Sequence, residues 1–235
     1  MREVLDMEEK QTQNVQEANT RLEKLALIEH WNNPMIILMP KQNEFFMDGV
    51  MEVFVTIESF EERLKSVPED ARLAYSKIPV VLAIDAVCKN ECKGMLIRGL
   101  DKEEIYITRE ELMPLKEEAD TIIMLQAVKG RQITAKRGIQ ILIEKKKKFY
   151  MLGEIPHVLK KEDDFFQFDI TKISGADFDA VKLYMTKERA EKNNVRNFEI
   201  HCYAFEELAR YFKGNYGLAI EPQQGFAVVF APGEL

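Results

Sequence analysis

The 235-residue sequence contains only three cysteines and three histidines. A small, odd number of cysteines does not suit a disulfide-stabilised secreted protein, so we expect a reducing compartment. Residues 1–10 ("MREVLDMEEK") have no apolar core of the kind found in secretory signals. No apolar run approaches the roughly 20 residues that span a bilayer. The sequence therefore predicts a cytoplasmic protein that does not act in a membrane.

Motifs that bind phosphate or support hydrolysis are also missing. The sequence has no G-x-x-x-x-G-K-S/T or G-x-G-x-x-G loop, no G-x-S-x-G turn and no H-E-x-x-H helix. The eleven glycines occur singly, as is typical of turns. Paired carboxylates lie in charged segments, where a solvated surface explains them better than an acid/base pair. We therefore expect no catalytic residues, no cofactor, no metal and no enzymatic activity.

The chain has no overall excess of positive charge. Its net charge is −7, which disfavours general attraction to nucleic acids or anionic membranes. Basic residues are nevertheless concentrated over residues 129–148, where Glu144 is the single acid. The candidate contacts for an anionic partner, either RNA or an acidic protein surface, are Lys129, Arg131, Lys136, Arg137, Lys145, Lys146, Lys147 and Lys148.

A second interpretation of this basic segment is structural, and it is the one we favour. Residues 138–144 and 149–152 resemble two strands of a hairpin, with the lysines solvated at its tip. Lysines also protect exposed strand edges. The segment then needs no nucleic-acid partner.

The spacing of apolar residues predicts both helices and strands, and therefore an α+β fold. Apolar residues at helical spacing over 15–28 predict an N-terminal helix, which ends before Pro34. Residues 78–84 are interpreted as a buried strand. The apolar runs at 120–130 and 138–144 are also interpreted as strands, in a connector between two units.

Two stretches of the chain repeat one order of predicted elements: strand, helix, strand, helix, strand, strand. The aligned blocks are 51–64 with 181–194, 82–89 with 203–210, and 94–112 with 217–235. The last pair of blocks begins with glycine and ends on Glu-Leu in both copies, which favours tandem duplication over two unrelated halves. We predict two similar units with mixed or antiparallel sheets and packed helices. Residues 1–115 hold the N-terminal helix and the first unit; residues 116–235 hold the strand-rich connector and a shorter second unit.

The repeated unit resembles the SseB (enhanced serine sensitivity) family, in particular its N-terminal domain. The segments that carry the resemblance are Phe54 to Glu58, Tyr184 to Thr186 and Gly217 to Pro222. An Asn-Pro pair of that family is replaced by Glu221-Pro222 in the second unit and by Arg98-Gly99 in the first. The resemblance covers roughly residues 15–115 and, more weakly, 180–235. It implies a mixed α/β fold in cytosolic bacterial proteins of unestablished activity, with no catalytic residues to transfer.

Three functional hypotheses remain open. The first, which we favour, is a non-enzymatic protein that binds another protein. The second is an RNA-binding accessory protein that uses the basic segment. The third is a thiol-dependent, sulfur-related enzyme or its accessory. Cys88 and Cys92 are spaced to share a helix face and Cys202 lies in a predicted strand, but buried structural cysteines explain them better.

Overall fold

The computed structural model describes residues 34–39, 49–54, 56–66, 74–98 and 104–235. The predicted N-terminal helix lies outside these residues. The chain divides into two compact units, Met1–Ala119 and Asp120–Leu235. Helices and mixed sheets are both present, so the predicted α+β class is confirmed.

The first unit contains one mixed sheet. Its elements are β1 (Pro34–Met39), β2 (Val50–Phe54), α1 (Ile57–Lys65), β3 (Ala74–Pro79), α2 (Val80–Lys89), β4 (Gly94–Arg98), β5 (Glu104–Thr108) and α3 (Arg109–Lys129), which continues past the unit boundary. The described strands have the order β3-β1-β2-β4-β5. β2 and β4 are parallel, and the other neighbours are antiparallel.

The second unit also contains one mixed sheet. Its further elements are α4 (Ala135–Glu144), β6 (Lys148–Leu152), α5 (Asp164–Gln167), β7 (Ile170–Lys172), β8 (Asp179–Tyr184), α6 (Lys187–Asn193), β9 (Ile200–Ala204), α7 (Phe205–Phe212), β10 (Gly217–Ile220) and β11 (Val228–Phe230). The strand order is β11-β10-β8-β6-β9, and β7 also pairs with β8. β8 and β10 are parallel, and the other neighbours are antiparallel.

The two sheets have the same strand order when β7 is set aside. β3, β1, β2, β4 and β5 correspond in position and direction to β9, β6, β8, β10 and β11. The registers also agree: Gly94 is the partner of Val50, and Gly217 is the partner of Ala180. This is the correspondence expected if residue 51 matches 181 and residue 94 matches 217.

The turns that follow matching strands are also capped alike. Thr56 and Thr186 precede α1 and α6, and each hydroxyl accepts from the N–H three residues later at 3.2 Å. Glu111 accepts from the Thr108 N–H at 2.9 Å, and Glu234 accepts from the Ala231 N–H at 2.8 Å. The Glu-Leu that ends both aligned blocks therefore has a shared role in closing a turn.

One face of each sheet forms the main core, and the opposite face carries charged residues together with a smaller buried cluster, around Phe54 in the first unit and Tyr184 in the second. In the first unit Met51, Val53 and Met95 are at most 1% exposed, and α2 packs against β3 and β4. In the second unit the buried strand residues are Phe149, Met151, Val181, Leu183, Leu218 and Ile220, and α7 packs against β9 and β10. Because side chains alternate along a strand, Glu52 and Lys182 lie on the opposite faces from these cores.

Three strand predictions are wrong. Residues 121–129 belong to α3 and residues 138–144 to α4, so the connector is helical and the basic segment is not a hairpin. Leu115, Ala119, Ile122 and Leu125 form the buried stripe of a helix. The third prediction, for residues 78–84, placed the strand too late, because β3 ends at Pro79 and α2 follows at once.

None of the described helices is both long and apolar enough to cross a bilayer.

Candidate functional site

The first unit carries an ion cluster on the polar face of its sheet. Glu52 on β2 pairs with Arg63 of α1 at 3.0 Å and with Arg98 of β4 at 3.1 Å. Arg98 also pairs with Glu104 at the start of β5. The side chains of Glu52 and Arg63 are 11% and 22% exposed, so water still reaches the cluster. The cluster ties α1 to the sheet.

The second unit buries its ion pair more deeply. Glu221, directly after β10, is 2% exposed and has a positive φ of 49°. One carboxylate oxygen accepts from the Met185 N–H at 2.8 Å, and the other pairs with Arg189 at 3.0 Å. Burial raises the pKa of Glu221, while Arg189 and the Met185 N–H oppose that shift. Glu221 thus joins the end of β10 to the start of α6.

A second buried carboxylate shapes the segment before β7. Asp164 is 0% exposed; it accepts from the Lys160 N–H at 2.9 Å and from the Tyr216 hydroxyl at 2.7 Å. Burial raises the pKa of Tyr216, and the hydrogen bond to Asp164 adds to the shift. Both groups are therefore hydrogen-bonded, and together they fix the first residue of α5.

A glycine brings this segment close to the sheet. Gly153 follows β6 with φ of +97° and pairs with Phe168. A Cβ at this position would lie 2.0 Å from the Gln167 carbonyl oxygen. Only glycine permits both the φ value and the approach. Gly153 and Asp164 therefore hold α5 at its two ends.

The short α5 helix exposes two aromatic rings. Phe165 and Phe166 are 42% and 75% exposed, and their ring centroids are 5.5 Å apart. The Arg196 guanidinium lies 3.6 Å from the centroid of the Phe165 ring and donates to the Phe165 carbonyl at 3.3 Å. Val195, its neighbour, is 92% exposed. We call Phe165, Phe166, Val195 and Arg196 the aromatic patch.

The loop that supplies Val195 and Arg196 is itself ordered by hydrogen bonds. The Asn194 side chain accepts from the Phe198 N–H at 2.9 Å and donates to the Phe198 carbonyl at 2.7 Å. Asn197, within this loop, has a φ of 56°, a conformation that asparagine tolerates. Both segments that supply the aromatic patch are therefore ordered by hydrogen bonds within the chain.

The basic residues do not form one patch. Lys129, Arg131, Lys136 and Arg137 lie around the α3–α4 turn, whereas Lys145 to Lys148 follow the other end of α4, a ten-residue helix. Ten helical residues span about 15 Å. Several of the charges have partners: Arg137 pairs with Glu144, Lys145 with Asp120, and Lys129 donates to the Gly225 carbonyl. The RNA hypothesis stays a prediction.

The cysteines differ in environment. Cys88 and Cys92 are buried, while Cys202 on β9 is exposed. Burial raises the pKa of Cys92, and nearby Arg109 opposes that shift. The Cys92 N–H donates to the Val87 carbonyl across Glu91, which has a positive φ, so Cys92 supplies the apolar contact that closes the C-terminus of α2.

Two cavities lie in the second unit. One of about 670 Å³ lies beside the β7–β8 turn and is lined by charged and polar groups including Lys161, Lys172, Asp177 and Tyr216. The other, about 190 Å³, contains the Lys182–Asp169 ion pair. Within the described ranges, no group of three or more histidine, cysteine, aspartate or glutamate side chains could hold a metal ion.

Comparison with family models, with curated proteins and with solved structures finds no match for this chain. The site must therefore be judged from its own geometry. Sequence reasoning noted Glu221 in place of an asparagine of the SseB family but missed its ion pair, because Arg189 is distant in sequence. It missed the aromatic patch as well, although "DDFF" is a signal: side chains one residue apart on a helix point in different directions, so two adjacent phenylalanines cannot both face one core.

Proposed function

We propose that this protein is a cytoplasmic protein-interaction module without catalytic activity of its own, and that a partner protein binds at the aromatic patch. One observation carries the proposal: two adjacent phenylalanines are exposed, and an arginine stacks on one of them. Exposed apolar side chains that cluster mark interaction sites more often than isolated ones.

The residue types and the rigidity of the patch support this choice. Phenylalanine and arginine are enriched at the centres of protein interfaces. Binding also costs less entropy when the contacting side chains are already ordered. Phe165 is ordered by Arg196, and α5 is fixed by Asp164 and Gly153, so the patch meets this condition.

The proposal extends to the origin of the fold. We infer that the two units arose by tandem duplication of an SseB-like unit. The support is the shared strand order, the matching register of Gly94 and Gly217, and the matching caps at Thr56 and Thr186. The two units keep the same core pattern and helix caps but differ in their surface residues. This agrees with a protein whose surfaces bind other proteins.

The test compares capture of binding partners by three forms of the full chain. Wild type, Phe166→Asp and the control Met113→Gln are each immobilised and exposed to cytosol of the source organism. Each retained protein is then purified, and its affinity for the three forms is measured by titration. Met113 is also exposed, at 45%, but lies in the first unit. We expect Phe166→Asp to weaken a direct partner about 30-fold, the effect of a hot spot of about 2 kcal/mol.

The control decides whether that loss is specific. Met113→Gln should retain the same partner with unchanged affinity. Equal binding by Phe166→Asp and wild type would overturn the assignment of the patch, and so would the absence of any directly binding protein. Phe166 is three-quarters exposed, so its replacement should leave the fold intact, which circular dichroism checks.

A further inference from the structure

The outer edge of β9 has unpaired backbone groups. Among the described strands, β9 is the last of its sheet and pairs with β6 on one side only. On that side the Glu199 carbonyl accepts from Gly153 at 2.7 Å, and the Phe205 N–H donates to Lys147 at 2.8 Å. Antiparallel pairing alternates, so residues 199, 201, 203 and 205 face β6, and Ile200 and Cys202 direct their backbone N–H and C=O groups outward.

These outward groups find no partner within the part of the chain that the structure describes. No backbone or side-chain hydrogen bond reaches the N–H or C=O of Ile200 or Cys202. Unpaired edge groups offer a template for another strand. The edge is therefore available for pairing.

The sequence of β9 does not protect its edge. Proteins block exposed edge strands with lysine, proline or a bulge. The matching strand of the first unit, β3, contains Lys77 and Pro79. β9 reads Ile-His-Cys-Tyr-Ala and contains neither lysine nor proline. The two edge strands thus differ in a property that protects against strand addition.

We propose that β9 pairs with β9 of a second copy of this chain, antiparallel and centred on Cys202, so that two sheets become continuous across a twofold axis. The register makes the strand complementary to itself. Cys202 meets Cys202 of the second copy, His201 meets its Tyr203, and Ile200 meets its Ala204. No like charges are directly opposed, and every side chain meets an apolar or aromatic neighbour.

The position of Cys202 gives the arrangement a direct probe. Cys202 is exposed and is the middle residue of the five in β9. In the proposed ladder its two copies form a hydrogen-bonded pair, with Cα atoms about 5.5 Å apart. That separation lies within the range that a disulfide spans. The two thiols can therefore be oxidised to one disulfide by diamide, which accepts the two electrons and the two protons and is itself reduced to a hydrazine.

The experiment measures the mass of the reduced full-length chain by light scattering, and then its covalent dimer after mild oxidation with diamide. Wild type is expected to be a dimer that oxidation traps through Cys202. Cys202→Ser should stay a dimer when reduced and lose the trapped form. Cys202→Pro removes the outward N–H without touching the bonds to β6, and proline is tolerated at such edge positions, so it should be monomeric.

Ile200→Lys provides a second block that leaves the backbone unchanged, and it should also be monomeric. Phe166→Asp should remain a dimer, because the aromatic patch and β9 are separate surfaces. A monomeric wild type would overturn the proposal. So would a dimer that survives both edge variants, or one that Phe166→Asp abolishes. Failure here leaves the partner assigned to the aromatic patch unaffected, since that test uses different variants.

Discussion

In the first unit the polar face of the sheet is organised around an acid, and in the second around a base and a separate buried acid. Glu52 of β2 corresponds to Lys182 of β8, and Arg98 at the end of β4 corresponds to Glu221 directly after β10, by the shared register. The Glu52 carboxylate forms salt bridges with two arginines, whereas the Lys182 ammonium group forms one with Asp169. The charges are reversed while the topology is unchanged.

This difference shows which interactions define the fold. Both units retain the apolar alternation on one face, the threonine caps and the glycine that starts β4 or β10. They do not retain the ion pairs. Salt bridges contribute little to stability when water reaches them and are costly to break when it does not. The two clusters should therefore respond very differently to the same substitution.

The largest effect is expected at Glu221. Glu221→Ala leaves the Arg189 guanidinium buried without its carboxylate, which costs about 3–5 kcal/mol of unfolding free energy. Glu52→Ala, in the more exposed cluster, should cost about 1 kcal/mol or less. Urea denaturation followed by circular dichroism measures both variants. Equal losses at the two positions would contradict the comparison.

Controls separate charge from backbone strain at the same site. Glu221 has a positive φ, which alanine tolerates no better than glutamate does. Glu221→Gln keeps the side-chain length and an acceptor for the Met185 N–H, so the decrease in unfolding free energy of this variant reports the missing charge. The double variant Glu221→Gln, Arg189→Met should recover much of that loss, because no unpaired buried charge remains.

A smaller effect of opposite sign is expected at the matched aromatic pair Phe54 and Tyr184. Both are at most 1% exposed, and the Tyr184 hydroxyl has no hydrogen-bond partner within the described residues. Burial raises the pKa of Tyr184, and Asp169 and Glu221 add to the shift. Tyr184→Phe removes an unsatisfied polar group and should stabilise the protein by about 1 kcal/mol.

The reciprocal change tests whether the two positions are equivalent. Phe54→Tyr should destabilise the first unit, because a hydroxyl enters a core where Phe54 and Phe60 meet edge to face at 5.6 Å. Thermal denaturation of both variants gives the sign directly. If Phe54→Tyr stabilised the protein, or Tyr184→Phe destabilised it, the tyrosine hydroxyl would be making a favourable interaction at that position.

The sequence allowed part of this comparison to be predicted. The alternation in β2 and β8 and the Glu-Leu that closes both blocks are local signals, and their alignment agrees with the strand registers. Thr56 and Thr186 were aligned with each other, but their role as helix caps was not predicted. The alignment of residues 82–89 with 203–210 was wrong, because it shifted the two matching helices by one helical turn relative to each other. It matched Ala83 with Ala204, whereas α2 begins at Val80 and α7 at Phe205, each directly after its strand.

The remaining errors have physical reasons. Ile139, Ile141 and Ile143 alternate as in a strand, but Thr134 caps a helix there and Ile139 and Leu142 face its core. Short apolar runs do not distinguish the two cases, and tertiary packing decides. The candidate site was harder still, since Glu221 and Arg189, or Phe165 and Arg196, come together only through the fold.

Thiol reactivity tests a further difference between the units. The first unit buries both of its cysteines, and burial raises the pKa of Cys92, which lowers its thiolate fraction at neutral pH. Cys202 should react with iodoacetamide in the native protein while Cys88 and Cys92 remain unmodified, as peptide mass spectrometry would reveal. Rapid native labelling of Cys88 or Cys92 would instead favour the thiol-enzyme hypothesis.

The smallest effect is expected for the basic residues. If they bound RNA, reversing Lys146 and Lys148 to glutamate would remove retention, and the wild-type affinity would fall steeply with salt. The two clusters lie at opposite ends of α4, and three of their members already have partners in the chain. We therefore expect wild type and the double variant to show the same weak retention on single-stranded RNA at physiological salt. A steep salt dependence that the double variant abolishes would restore nucleic acid as the partner, and would make the helical connector, which the two matched sheets do not include, the functional part of the chain.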